Sequence, residues 1–277
     1  MKLSWQLEEY LRVSALLLDV FVKNNWRGQW SEKRLRFGAH PSQYLLFYQP
    51  RDPVPDKPLI FFLHGGGWGH GHPAMFRFIG HFFARAGYPV ILGGYRLTPL
   101  HRFPRQLDDA FDGLNAGLKL AASRGLGAGP VILAGQSAGA QLASLMLLDR
   151  AAAQRHGFRR EDFAGLLLVS GLLNFEFCQT FKDRWMLWKL LGRQSTWERA
   201  DPIRFVRGDE TVPVLCIHGE RDILVDNRNS TSFISRLNHV GEIYMAPGGY
   251  HSDLTDMFLK RTPSTEIMLR WLERVSK

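Results

Sequence analysis

The feature that most constrains this chain is an alternation of short apolar runs with longer amphipathic stretches, sustained from residue 43 to residue 275. The runs at 59–63, 89–92, 130–134, 166–169 and 214–217 read as strands. Continuous apolar runs of this length are the pattern of strands buried on both faces. Residues 43–48 read as an edge strand, followed by a proline-rich turn, and 242–245 as the last strand. The stretches at 73–86, 104–122, 138–154, 229–237 and 265–275 read as helices, the second opening on Pro104, which suits a first helical turn. Strands alternating with helices predict an α/β fold with a mostly parallel central sheet flanked by helices. Right-handed crossovers bring the carboxyl ends of the strands to one edge, where such sheets bind ligands. A single domain can take up all 277 residues.

Two segments stand outside the alternation. Leu3, Leu7, Leu11, Leu18 and Phe21 recur at helical spacing, with Glu8–Arg12 and Asp19–Lys23 as favourable i,i+4 pairs. An amphipathic cap helix is therefore expected within residues 1–30. The long connection 174–209 holds Trp185, Trp188 and Trp197, and a connection of that length has structure or function of its own. It reads as a helical lid insertion.

Composition excludes several classes. The formal charge is +9, but Lys and Arg are scattered in short pairs such as Lys33–Arg34 and Arg159–Arg160. Nucleic-acid binding would need a basic stripe and a recognisable motif, so no nucleic-acid partner is expected. Cys178 and Cys216 lie far apart without metal-ligand spacing, so neither a disulfide framework nor a metal site is expected. Two free thiols fit a cytoplasmic location. The apolar stretch near the N-terminus is short and interrupted by Asp19, unlike a signal peptide, and no run reaches the roughly 20 apolar residues of a spanning helix. The chain is expected to be soluble, unprocessed and without stable membrane insertion, and a homodimer is left open.

The chemistry lies just after the strands. Gly135, Gln136, Ser137, Ala138 and Gly139 follow the run 130–134 and open the next helix, the arrangement of a nucleophile elbow. Glycines flank the serine because side chains would clash in so sharp a turn. His64, Gly65, Gly66, Gly67 and Trp68 follow the run 59–63. Backbone N–H groups of Gly66 and Gly67, with that of Ala138, would form an oxyanion hole. His64 reads as a structural residue orienting this loop.

A general base must follow an acid in the chain order of this arrangement. His218, His239 and His251 are the histidines placed for it. His218 precedes the acid candidate and His239 ends a helix, whereas His251 lies in a glycine-rich loop after 242–245 and is preferred. Asp222, after the run 214–217, is the acid chosen over Asp226, Glu220 and Asp209. Asp253 stands on the wrong side of His251. The candidate triad is thus Ser137, Asp222 and His251, with Trp68, Trp185 and Trp188 as candidate walls of an apolar substrate pocket.

Together, His64 to Trp68, Gly135 to Gly139, the segment ending at Asp222, and His251 resemble the hormone-sensitive-lipase-like esterases of the α/β-hydrolase superfamily. Gly94, Tyr95, Arg96, Leu97, Thr98 and Pro99, followed by Phe103, Pro104, Asp108 and Asp109, resemble a segment of the same group. The likeness covers roughly residues 40–276. It implies an α/β-hydrolase fold with a helical cap, and hydrolysis of small acyl esters without cofactor or metal. Gln136 and Ala140 depart from the group's usual elbow and look closer to its acetyl- and feruloyl-esterase-like and arylformamidase-like branches. The expected activity is ester cleavage through an acyl-enzyme. An amidase using the same triad, a catalytically silent binding module, and a membrane-associated lipase resting only on the N-terminal helix are the rivals.

Overall fold

Alternate side chains of every interior strand point to opposite faces of one sheet, and that division builds two cores. In the computed structural model, which describes residues 28–54 and 57–277, the strands are β1 (Trp30–Arg36), β2 (Tyr44–Pro50), β3 (Ile60–Leu63), β4 (Val90–Gly93), β5 (Val131–Gln136), β6 (Phe163–Val169), β7 (Val214–Gly219) and β8 (Gly241–Ala246). Their order is β1-β2-β4-β3-β5-β6-β7-β8. The strands from β3 to β8 are parallel, and β2 runs antiparallel to both its neighbours.

The helices are α1 (Arg77–Arg85), α2 (Arg105–Ala122), α3 (Ala138–Leu148), α4 (Arg150–Arg155), α5 (Phe181–Leu191), α6 (Arg228–Arg236), α7 (Asp253–Asp256) and α8 (Pro263–Val275). Phe61, Leu63, Leu133, Leu168 and Cys216 face the core shared with α2, α3, α5 and α6. Ile60, Phe62, Ile132, Leu167 and Ile217 face the core shared with α1 and α8. Each such fully buried side chain contributes about 1.5–3 kcal/mol of burial. Helix α3 is buried on every side, which explains its all-round Ala and Leu content.

The structure corrects two expectations, and a third falls mostly outside the described residues. Of residues 43–48, those from Tyr44 onward lie in the second strand rather than at the edge, because β1 covers them. Charged WSEKRLR hid β1 from a reading based on apolar runs, and charge is what an exposed edge strand needs against chance pairing. Glu32 fastens it, accepting from Tyr48 Oη at 2.6 Å and from two nitrogens of Arg77. The single helix expected over 138–154 is broken at Asp149, whose side chain caps α4 by accepting from Ala152 N. Of the expected cap over residues 1–30, Gly28 and Gln29 are not helical and Trp30 begins β1; residues 1–27 lie outside those described.

The 174–209 segment is helical through most of its length. Asn174 opens a short 3-10 turn, Phe175–Phe177, and Thr180 and Asp183 form a reciprocal cap at the start of α5. Two more 3-10 turns follow, Gln194–Ala200 and Pro202–Phe205. Leu187 and Leu190 anchor α5 in the first core. Asp109 pins the neighbouring loop from beneath: fully buried, it accepts from Arg96 N, Nε and Nη2 and from Gln43 Nε2.

Candidate active site

Strand β5 ends at the carboxyl edge of the sheet and α3 starts two residues later, so the chain must reverse over Ser137. Ser137 adopts φ 53° and ψ −118°, a left-handed conformation that stores on the order of 1–3 kcal/mol of strain in a residue with a side chain. Its N–H donates to Val169 O at 2.8 Å, and its carbonyl accepts from Ala140 N at 3.0 Å. The turn closes only around glycine. A β-carbon on Gly139 would lie 2.1 Å from Leu63 O, and one on Gly135 would lie 2.4 Å from the Gly139 carbonyl.

The same contact brings the N-terminus of α3 against the loop after β3. There Gly66 and Gly67 take φ of 114° and 57°. Gly66 O accepts from Gly69 N and His70 N, curling the loop into a turn. Trp68, a candidate pocket wall, is fully buried beneath this loop, with its indole N–H donating to Gln141 Oε1 at 3.0 Å. Trp185 and Trp188, the other two, lie half-exposed on α5. It is Met186, between them, that approaches the loop: a β-carbon on Gly67 would stand 2.8 Å from its Sδ.

His64 is buried, stacked on Tyr95 and Phe76, with its carbonyl accepting from Tyr95 Oη at 2.7 Å. Burial pushes its pKa down to about 4, so the ring is neutral at ordinary pH. This is the setting of a structural histidine.

Asp222 and His251 come together from loops following β7 and β8. His251 Nδ1 lies 2.7 Å from Asp222 Oδ2. Leu224 N and Val225 N donate to Asp222 Oδ1 at 2.9 and 2.8 Å. Burial alone would raise the Asp222 pKa, but the charge and hydrogen bonds of His251 and His218 outweigh it and hold the carboxyl well below the usual range. The competitors are elsewhere: Asp226 pairs with Arg228, Asp209 with Arg150, and Glu220 accepts from Gly248 N. Asp253 accepts from Tyr250 N, and His239 sits in a surface 3-10 turn.

Three residues of the site escaped sequence reasoning. Gln136 places its amide nitrogen 3.2 Å from His251 Nε2, tying the imidazole to the residue before Ser137. With Nδ1–H donating to Asp222, Nε2 carries a lone pair, which accepts from that amide. His218 supports the acid from behind: its Nε2 lies 3.3 Å from Asp222 Oδ2 and 3.0 Å from Val225 O, and its Nδ1 2.7 Å from Ser230 Oγ. Gln141 joins two regions, since its Nε2 also donates to Ala200 O at 2.7 Å. The only signal for any of them was position, with Gln136 inside the elbow and His218 at the end of a strand.

An elbow serine, an Asp–His pair and a glycine loop at the carboxyl edge of one sheet can be compared with known proteins. A family model described as the alpha/beta hydrolase fold matches residues 60–252, a span that holds all of these elements. The chain belongs to the α/β-hydrolase fold family. Within this hormone-sensitive-lipase-like group it is 31% identical, over 155 residues, to the Oryza sativa subsp. japonica protein designated "Probable isoprenylcysteine alpha-carbonyl methylesterase ICME". That alignment covers 55% of this chain and 37% of the rice protein. Esterase LipC of Mycobacterium tuberculosis is 26% identical over 244 residues, 81% of this chain and 60% of LipC. The chain thus spans less than two thirds of the length of either relative. Among solved structures, inhibited esterase B from Lactobacillus rhamnosis superimposes with a TM-score of 0.80 at 24% identity, covering 99% and 96% of the two chains, a likeness of fold.

No group of three or more His, Cys, Asp or Glu able to hold a metal ion occurs among the described residues. No helix among them is long and apolar enough to cross a membrane. Cys178 and Cys216 are both buried, and burial pushes both thiols up, which removes them as nucleophiles.

Proposed function

We propose that this chain is a serine esterase that cleaves carboxylic esters of small acyl or aryl type through an acyl-enzyme on Ser137. The observation that carries this reading is the 2.7 Å Asp222–His251 contact, whose imidazole reaches by Nε2 to the side chain next to Ser137. The strained elbow and the esterase names of the relatives support it.

In this mechanism His251 takes the Ser137 proton as Oγ attacks the ester carbonyl. Asp222 accepts the Nδ1–H and steadies the imidazolium. The oxyanion develops against the N–H groups of Gly66, Gly67 and Ala138, where each donor contributes roughly 2.7–4 kcal/mol of transition-state stabilisation. His251 then returns the proton to the leaving alcohol, and water repeats the sequence on the acyl-Ser137 ester. The 174–209 segment acts as a cap, with Met186 approaching the loop above Gly67. The two buried thiols support a cytoplasmic setting.

The test is hydrolysis of p-nitrophenyl acetate, butyrate, octanoate and palmitate by the native chain and by Ser137→Ala. Serine-dependent turnover highest on acetate or butyrate is expected. Failure on every ester by folded protein, with cleavage of a matching anilide, would move the assignment to an amidase.

A further inference from the structure

Helix α5 presents to solvent a face that an ordinary surface helix does not. Phe181, Trp185 and Trp188, at the i, i+4 and i+7 spacing of one helical stripe, are 87%, 51% and 50% exposed. Single exposed apolar residues are commonplace, but three large aromatics in register form a patch, and patches mark contact surfaces. The adjacent 97–103 loop adds Leu100, 87% exposed, and is held to α5 by Phe103 N donating to Leu190 O at 3.0 Å.

The solvent-facing charges of α5 and those that reach over its tryptophans are all of one sign. Lys182 and Arg184 are exposed, Lys189 lies 3.7 Å over the Trp185 ring, Arg102 reaches over Trp188, and Arg193 follows the helix in an exposed position. The one acid of α5, Asp183, is buried and committed to the Thr180 cap. A second copy of this patch would bring cation against cation, so the stripe disfavours self-association. Indoles and a phenyl ring amid Lys and Arg, with no outward carboxylate on the helix itself, are instead the composition of a helix lying in the interface of an anionic lipid layer.

We propose that the outer face of α5 is a docking surface for an anionic lipid bilayer. Phe181, Trp185 and Trp188 enter the headgroup boundary while Lys182 and Arg184 meet the negative headgroups. The inner side of the same helix approaches the glycine loop through Met186 and Lys189, the latter with Nζ 3.7 Å from where a β-carbon of Gly69 would stand. Docking by α5 therefore turns the loop edge of the sheet towards the lipid surface. Binding needs no chemistry, so its outcome is independent of the esterase assignment.

The experiment is flotation of the full chain with vesicles of phosphatidylcholine alone and of phosphatidylcholine with about one-third phosphatidylglycerol, at low and high salt. The expected result is binding to the anionic vesicles only, weakened by salt. Each lipid-facing cation strengthens such binding roughly fivefold. Lys182→Glu/Arg184→Glu and, separately, Phe181→Ser should therefore each weaken it by about tenfold or more, with melting temperature and hydrolysis of a water-soluble ester unchanged. Three results would overturn the proposal: no flotation, equal flotation on neutral vesicles, or flotation untouched by both variants, which would assign lipid contact to another segment. A dimer in solution that Phe181→Ser converts to monomer, without vesicle binding, would overturn it in favour of a second copy.

Discussion

At the scale of single residues the site divides into groups that would react and groups that hold them. Ser137→Ala should lower kcat at least about 10⁴-fold while leaving the fold intact, measured by ester turnover and circular dichroism. Asp222→Asn keeps the shape of the carboxylate but presents an amide to His251 Nδ1, and a drop of about 10⁴-fold in kcat is expected. His218→Phe tests a holding role. It removes a partner of Asp222 from behind, so kcat should fall by far less than in Asp222→Asn while KM stays near that of the native chain. The candidate reacting residues could be named from sequence because each belongs to a motif with a fixed place after a strand. The holding residues could not, since Gln136 and Gln141 act through contacts between positions far apart in sequence, and His218 meets Asp222 only through the fold of the loop after β7.

At the scale of elements, α3 and the two loops around it form one packed unit. Gln141 bridges Trp68 under the glycine loop and Ala200 in the helical connection. Gln141→Leu would leave a buried indole N–H and a buried carbonyl without their partner, at a cost of about 1–3 kcal/mol for each. Denaturant unfolding should report that loss, and esterase activity should fall with it, because the loop carrying Gly66 and Gly67 rests on Trp68. Interior strands were readable from sequence because burial on both faces makes a strand continuously apolar, as at Ile60–Leu63 and Val214–Gly219. Strand β1 was not, because its partners are on one side only and its charges serve the other. The break at Asp149 was hidden too, since an Ala-rich helix tolerates continuation on either side, and the cap hydrogen bond to Ala152 decides the matter.

At the scale of the whole molecule, the pH response follows from buried titratable groups. Burial raises the Asp201 carboxyl to about 6, against the opposing hydrogen bond from Phe175 N. Between the ordinary carboxylate value of about 3.9 and pH 6 the folded chain binds more protons at this site than the unfolded chain, so stability falls as pH rises through that window. His64 works the other way: with its pKa pushed down to about 4, its contribution grows as pH rises towards the ordinary histidine range. Asp201→Asn isolates the first effect, retaining an acceptor for Phe175 N without an ionisable group. The variant should melt higher than the native chain at pH 8 by an amount worth on the order of 3 kcal/mol, and the gap should close near pH 4. The parallel sheet that joins these regions was legible from alternation alone, and so was the edge on which the site lies. Which face of the 174–209 connection meets solvent was not, because its tryptophans read equally well as pocket walls or as surface.

The central claim, that Ser137 is a nucleophile activated by His251 and Asp222, is tested most directly by covalent labelling. The native chain is treated with an aryl phosphonate ester, and the adduct is located by peptide mass spectrometry. The account predicts one phosphonyl group per chain, on Ser137, with labelling abolished in Ser137→Ala and strongly slowed in Asp222→Asn. Folded protein that takes up no label, or takes it on another residue at the same rate in all three chains, would contradict it.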